Sequence, residues 1–200
     1  FPSALSELPS LDYTYGQVFL EWAHRANAAI ILAPVICCMV FMSWRYRTQE
    51  PMCWRFGLVA IFLLVLQSAV GGLTVFDSNS PWSVAVHLFL ASLLLATAVS
   101  MLWIAKSGYN MKLNAASLMP IGFSALILLT MVSGAIVAKT GSALSCGGWP
   151  LCNGSVFPAL DDINETLHFS HRMLALVTVV GLVWAGWYMQ ELRHAMALSI

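Results

Sequence analysis

The stretch Leu20-Glu21-Trp22-Ala23-His24-Arg25, and after Ala26 the uncharged run Asn27-Ala28-Ala29-Ile30-Ile31-Leu32-Ala33-Pro34-Val35-Ile36-Cys37-Cys38-Met39-Val40-Phe41-Met42-Ser43-Trp44, decides the architecture. A helix that crosses a bilayer needs about 20 mostly apolar residues, and this run supplies them. The acid, imidazole and guanidinium at its mouth are costly beside a membrane, so by default they mark function. Four further stretches share its apolar character. Together they predict an all-α, polytopic membrane helix bundle with five transmembrane helices over Gln17–Trp44, Phe56–Val75, Trp82–Ala105, Leu118–Ala138 and Leu167–Met189. Pro34 predicts a kink in the first. Pro120 is expected in the first turn of the fourth, where proline is tolerated.

Composition agrees with that class. The 200 residues are 60% hydrophobic and 9% charged, with a mean hydropathy of +0.80, whereas a soluble domain is about a quarter charged. Formal net charge is zero and no basic tail exists, so membrane lipid is an expected partner and nucleic acid is not. Five cysteines are too few and too scattered for a disulfide-framework fold. The chain opens Phe1-Pro2-Ser3, without a starting Met, a basic n-region or a signal h-region, and is expected to begin partway through a longer pattern. Arg45, Arg47 and Arg55 lie between helices one and two, Lys106 and Lys112 between three and four, and Arg193 after five. Glu7, Asp12, Asp77, Lys139, Asp161, Asp162 and Glu165 occupy the other segments. The positive-inside rule puts the first set on the inner side, and the N-terminus and the loop before helix five outside.

Counting from the inner borders gives three histidines one depth. His24 lies 20 positions from Trp44, His87 18 from Ala105 and His171 18 from Met189, or about 27–30 Å at the helical rise. A single histidine near a helix end is ordinarily an interfacial residue with a satisfied hydrogen bond. Three in one layer, two followed by Arg25 and Arg172, point instead to metal ligation. Structural zinc wants four nitrogen or sulfur ligands in short spacings, and no such set converges. Cys37, Cys38 and Cys53 lie at the inner side and read as small core residues. Single histidines on separate helices suit axial ligation of haem iron, with His24 and His87 the best pair. Gly71-Gly72 on the intervening helix offers close approach, either to a flat macrocycle or to ordinary helix packing. Glu21, three residues before His24, either handles protons beside the bound group or pairs with Arg25. Arg25 and Arg172 either hold haem propionates or anchor their helices at the headgroups. Between helices four and five, Cys146 and Cys152 close a short loop containing Gly147-Gly148 and Pro150. A disulfide is expected there, either as a staple over the helix ends or as a reducible bond with a redox role.

Leu167-His168-Phe169-Ser170-His171-Arg172 repeats the opening cluster at an offset of 147 residues, with His168 in place of Glu21. Phe157-Pro158-Ala159-Leu160 precedes it much as Phe1-Pro2-Ser3-Ala4-Leu5 precedes the first. A repeat this long means a duplicated bundle. Residues 1–112 then carry the first-half helices with the His24/His87 site, and residues 113–200 begin the second half with the Cys loop and the His171 helix.

With these motifs in hand, the chain resembles the haem A synthase family. The match is carried by Glu21-x-x-His24-Arg25, by Leu66-Gln67-x-x-x-Gly71-Gly72-Leu73-Thr74-Val75, and by Val86-His87-Leu88 with Ala91. Thr140-Gly141-Ser142-x-x-Ser145-Cys146 through Trp149-Pro150-Leu151-Cys152-Asn153-Gly154, and His171-Arg172, complete it. The resemblance implies two pseudo-symmetric four-helix haem-binding units, one for the haem O substrate and one for a haem b cofactor. It implies an oxidoreductase that converts a methyl group of haem O to the formyl of haem A by successive hydroxylations. His24 and His87 match the substrate-half histidines, Glu21 the acid beside them, and His171 one axial ligand of haem b. A bacterial or archaeal cell membrane, or the mitochondrial inner membrane, is the implied location. A haem O synthase, an oxidase assembly or another copy of the chain is the implied partner. A non-catalytic b-type haem carrier or electron-transfer subunit is the alternative, and a thiol oxidoreductase working through Cys146 and Cys152 a third. Five of the family's eight helices are present, and no counterpart faces His171 from a final helix, since His194 falls on the other side of the membrane. A segment of a longer protein, a reduced relative, or a second bundle completed by another chain is therefore expected, the missing Met favouring the first.

Overall fold

A chain in lipid must satisfy every backbone polar group internally, so spanning segments are helices or closed barrels. The computed structural model describes residues 15–109 and 115–197, with the backbone alone at residues 17, 115–117 and 191–197. It is all-helical, and five helices are long and apolar enough to cross a membrane. The first span is built from α1 (Tyr15–Asn27), a π-helical segment (Ala28–Leu32) and α2 (Ala33–Arg45). The others are α3 (Pro51–Phe76), α4 (Pro81–Ser107), α5 (Ala115–Lys139) and α6 (Ile163–Ala197), with one 3-10 turn at Ser142–Leu144. Glu7, Asp12, Lys112, the Phe1–Leu5 half of the repeat, the expected boundary at 112/113, and the side chains of Arg193 and His194 lie outside the described residues.

Every span is present, and most run longer than their apolar cores. The added turns are polar or proline-led. Pro51 and Pro81 start α3 and α4, where the missing N–H costs nothing and φ is already helical. Ser80 caps α4 by accepting the Ser83 N–H at 3.2 Å. α6 starts at Ile163, four residues ahead of its apolar stretch, behind Asp162, whose carboxylate accepts the N–H groups of Asn164 at 2.8 Å and Glu165 at 3.3 Å.

Pro34, expected to kink the first span, lies two residues beyond a π-helical turn in which the Ala33 N–H reaches the Ala28 carbonyl. A proline ring crowds the carbonyl four residues back, and the wider turn accommodates it. Pro120 is not in a first turn. The helix begins at Ala115, so Pro120 is inside it and leaves the Ala116 carbonyl without its usual helical donor.

The core lies between α2, α3 and α4 and includes Ile36, Ala60, Leu63, Leu90, Leu94 and Met101. Buried Gly57 lets α3 approach Ser43 of α2 more closely than any side chain would allow. α4 packs in turn on α5, and α5 on α6. There the hydroxyl oxygens of Thr130 and Thr178 meet at 2.8 Å, and Gly181 accommodates the Phe123 ring. α1 stands apart: none of its Cα atoms lies within 8 Å of one in α3 or α4. The first span therefore packs through α2 and diverges beyond the π turn. Of the three membrane cysteines only Cys53 is buried, whereas Cys37 and Cys38 are exposed, which corrects their reading as core residues.

Candidate functional site

Where α1 diverges, His24 and His87 face each other. Their ring centroids are 6.4 Å apart and the planes are inclined at 78°. Two imidazoles bonded to one iron at about 2 Å each, on opposite sides, have centroids roughly 6 Å apart, so the pair suits that ligand. Among the described residues no group of three or more His, Cys, Asp or Glu converges to hold a metal ion. The arrangement is a pair of imidazoles and not a zinc-type cage.

His87 is held from α3. Its Cε1 comes within 2.7 Å of where a Cβ on Gly71 would stand, whereas nothing lies within 4 Å of the same point on Gly72. The glycine pair thus makes room for an imidazole through its first member only. One turn before Gly71, the Nε2 of Gln67 lies 3.2 Å from the Nε2 of His87. The buried Nδ1 of His87 and Oε1 of Gln67 have no hydrogen-bond partner among the described residues. Leaving such atoms unpaired costs about 1–3 kcal/mol each.

Glu21 does not turn to His24 in this structure. It pairs with Arg25 one helical turn on, with both side chains substantially exposed. An exposed pair of this kind contributes little to stability.

His171 is seated against α5. Its Cε1 lies 2.9 Å from the Cβ position of Gly134, and its Nδ1 lies 2.9 Å from the Ser133 hydroxyl. One turn earlier, His168 is buried beneath the Cys loop. Its Nδ1 faces the Cys146 N–H at 3.3 Å, and its Nε2 faces the Arg172 Nε at 3.0 Å. A neutral imidazole accepts at only one nitrogen, and the shorter, charge-assisted contact from Arg172 is the stronger. Arg172 also donates to the Gly148 carbonyl at 2.7 Å and the Cys146 carbonyl at 3.1 Å. Two of its N–H groups are therefore engaged with the loop and a third with His168 on its own helix.

The loop is closed by a Cys146–Cys152 disulfide. Asn153 braces it from inside, accepting the Gly147 N–H at 2.7 Å and donating to the Ser145 carbonyl at 3.0 Å and to the Glu165 carboxylate. Glu165 also accepts the Ala159 N–H at 3.1 Å. The contacts to Gly147 and Ser145 hold the loop together, and those to Glu165 tie it to α6, as a staple does. Gln67, Ser133, Gly134, Asn153 and Glu165 have no place in the site as read from the sequence, although Gln67 and Asn153 stand in the motifs that carry the resemblance and Glu165 among the loop charges. The signal for two of them was the resemblance of Ser133-Gly134 to the small pair Gly71-Gly72. A cavity of about 690 Å³ lies elsewhere, between α2, α3 and α4 beside Cys38, Glu50, Cys53 and Met101, and no histidine lines it.

Comparison with known proteins adds an independent line. A family model described as cytochrome oxidase assembly protein matches residues 5–199. A protein named "Heme A synthase" from Shouchella clausii is 23% identical over 192 residues, 92% of this chain and 64% of its own length. One of the same name from Staphylococcus epidermidis is 27% identical over 187 residues, 90% of this chain and 59% of its own. A third, from Bacillus licheniformis, is 41% identical over a shorter stretch of 70 residues. The chain spans 59–64% of the length of the first two relatives.

Proposed function

The chain belongs to the cytochrome oxidase assembly protein family, and from that membership we propose that it is an integral membrane protein of haem A biosynthesis. In this reading His24 and His87 would hold the haem O substrate between them, and His171 would help to hold a haem b cofactor. Residues 1–112 form the substrate half and residues 113–200 open the cofactor half. The bound iron supplies the oxidative chemistry by which a methyl becomes a formyl through successive hydroxylations. The protein's own part is to bind, orient and exclude water. Glu21 is the proton-handling group, within reach of the His24 face once it leaves Arg25. The names of the relatives support the substrate class, and the loop charges support an outer location for the N-terminus and the Cys loop. A haem O synthase, an oxidase assembly or a second copy is the partner class.

The observation that carries the reading is the imidazole pair standing 6.4 Å apart where the first span leaves the bundle. An optical spectrum of the purified chain in detergent tests it. A low-spin, bis-histidine haem signature should diminish in His24→Ala and in His87→Ala, and a chain that takes up no haem would remove the proposal. The exposed Glu21–Arg25 pair favours a second reading, a non-catalytic b-type haem carrier. Haem A formation lost in Glu21→Ala, with haem still bound, decides for the enzyme. Unchanged product formation decides against any role for Glu21.

A further inference from the structure

We propose that Gln67 and Ser133 are positioning residues that set, differently at the two sites, which imidazole nitrogen is available to a haem iron. This rests on the haem reading above and deepens it. The Ser133 hydroxyl carries one proton and has two groups at 2.9 Å that could take it, the Thr130 carbonyl and the His171 Nδ1; we assign it to the carbonyl, the usual partner of a helical serine hydroxyl. With the proton so placed, the oxygen offers His171 only lone pairs, and Nδ1 carries the ring proton. A neutral imidazole has one N–H, which leaves the lone pair on Nε2. Gly134, the next residue, leaves space for the ring in this pose, its Cβ position being 2.9 Å from Cε1 and 3.3 Å from Nε2. A ligating histidine held through its other nitrogen has its ring orientation and tautomer fixed in advance. His171 is in that condition before anything binds.

His87 is built the opposite way. The Gln67 side-chain amide approaches Nε2 itself, at 3.2 Å. Amide orientation does not alter the outcome. An NH2 group would donate to the Nε2 lone pair, and a carbonyl would accept an Nε2 proton, so in both cases that nitrogen is engaged. Nδ1 meanwhile is buried without a partner, and is 3.3 Å from the Cβ position of Gly71 on the α3 wall. Gln67 and Gly71 are one turn apart on α3, so the seat and the amide reach His87 from one helix face. Ligation through Nε2 therefore requires the Gln67 amide to withdraw, and the amide can return when the ligand leaves. Gln67 is a placeholder. The first site is an exchanging one, as a substrate and product site must be, and the second is preset to retain what it holds.

Two measurements on the full chain in detergent micelles test this. Histidine-selective nitrogen-15 spectra of the haem-free protein read the tautomers directly. His171 should show a protonated Nδ1 and a bare Nε2. Ser133→Ala should turn that into a mixture, and Ser133→Thr should restore it. A wild-type His171 protonated at Nε2 overturns the Ser133 assignment. Haemin titration in a His171→Ala background reads Gln67. Gln67→Leu should tighten the His24/His87 site about fivefold, the scale of one ordinary hydrogen bond, and slow haem transfer to apomyoglobin by a similar factor. A glutamine that merely supports the fold would give looser binding on removal, so weaker or unchanged affinity overturns the placeholder role. Unperturbed nitrogen signals from His168 show that the variant is folded. If the unaltered chain takes up no haemin, the haem reading and the placeholder role fall together, while the nitrogen pattern still judges Ser133.

Discussion

At Gly71 an added methyl group would stand 2.7 Å from the Cε1 of His87, and at Gly72 it would meet nothing within 4 Å. Two adjacent glycines thus answer to different constraints. Gly71→Ala should destabilise the chain by about 1–3 kcal/mol, as overpacking does, and should lower haem affinity at the His24/His87 site. Gly72→Ala should stay within about 0.5 kcal/mol of the parent, as substitutions away from tight contacts do. Denaturation in mixed micelles with a parallel haemin titration checks both. Equal effects at the two positions would show that the imidazole seat is not what Gly71 provides. Depth counting along the sequence was enough to nominate His24 and His87 as a pair. It could not find Gln67 or Ser133, because their contacts depend on how each helix is rotated about its axis. Spans that are apolar on all sides, like α3 to α5, carry no stripe from which rotation can be read.

For the helices and loop, Arg172 is the residue on which the connection between α5 and α6 converges. It bridges His168 to two loop carbonyls, a geometry that a planar guanidinium provides and an ammonium does not. Arg172→Lys keeps the charge and loses the fork. Amide exchange over Ser145–Asn153 should then accelerate about tenfold, in keeping with one charge-assisted bond less, while exchange in α3 stays unchanged. Protection retained throughout the loop would show that Asn153 and Glu165 suffice without it. The spans themselves were legible because each is a long apolar run. Their ends were not, since the extra turns at Pro51 and Asp162 are polar or proline-led and look like loop to a hydropathy count. Pro34 signalled a disturbance but not its form. A π turn is one residue of excess in the hydrogen-bond ladder, and composition does not reveal it.

At the scale of the whole molecule, spans one, three and five run in one direction, so His24, His87 and His171 come to one end of the bundle. Cysteine scanning tests which face of the membrane that is. With the native membrane thiols replaced by serine, Val156→Cys in the loop before α6 should react with an impermeant maleimide applied from outside. Gln49→Cys, in the turn between α2 and α3, should react only after the membrane is opened. The reverse pattern would invert the proposed topology and with it the outer placement of the histidines. The separation of α1 from α3 and α4 carries a consequence for supply. His24 is exposed in the slot that this separation leaves, so a lipid-soluble reactant can arrive sideways, without passing through water. Its encounters are then two-dimensional, governed by its mole fraction among the surrounding lipids and not by its concentration in the aqueous phase. Added inert phospholipid slows loading by surface dilution, and added buffer leaves it unchanged.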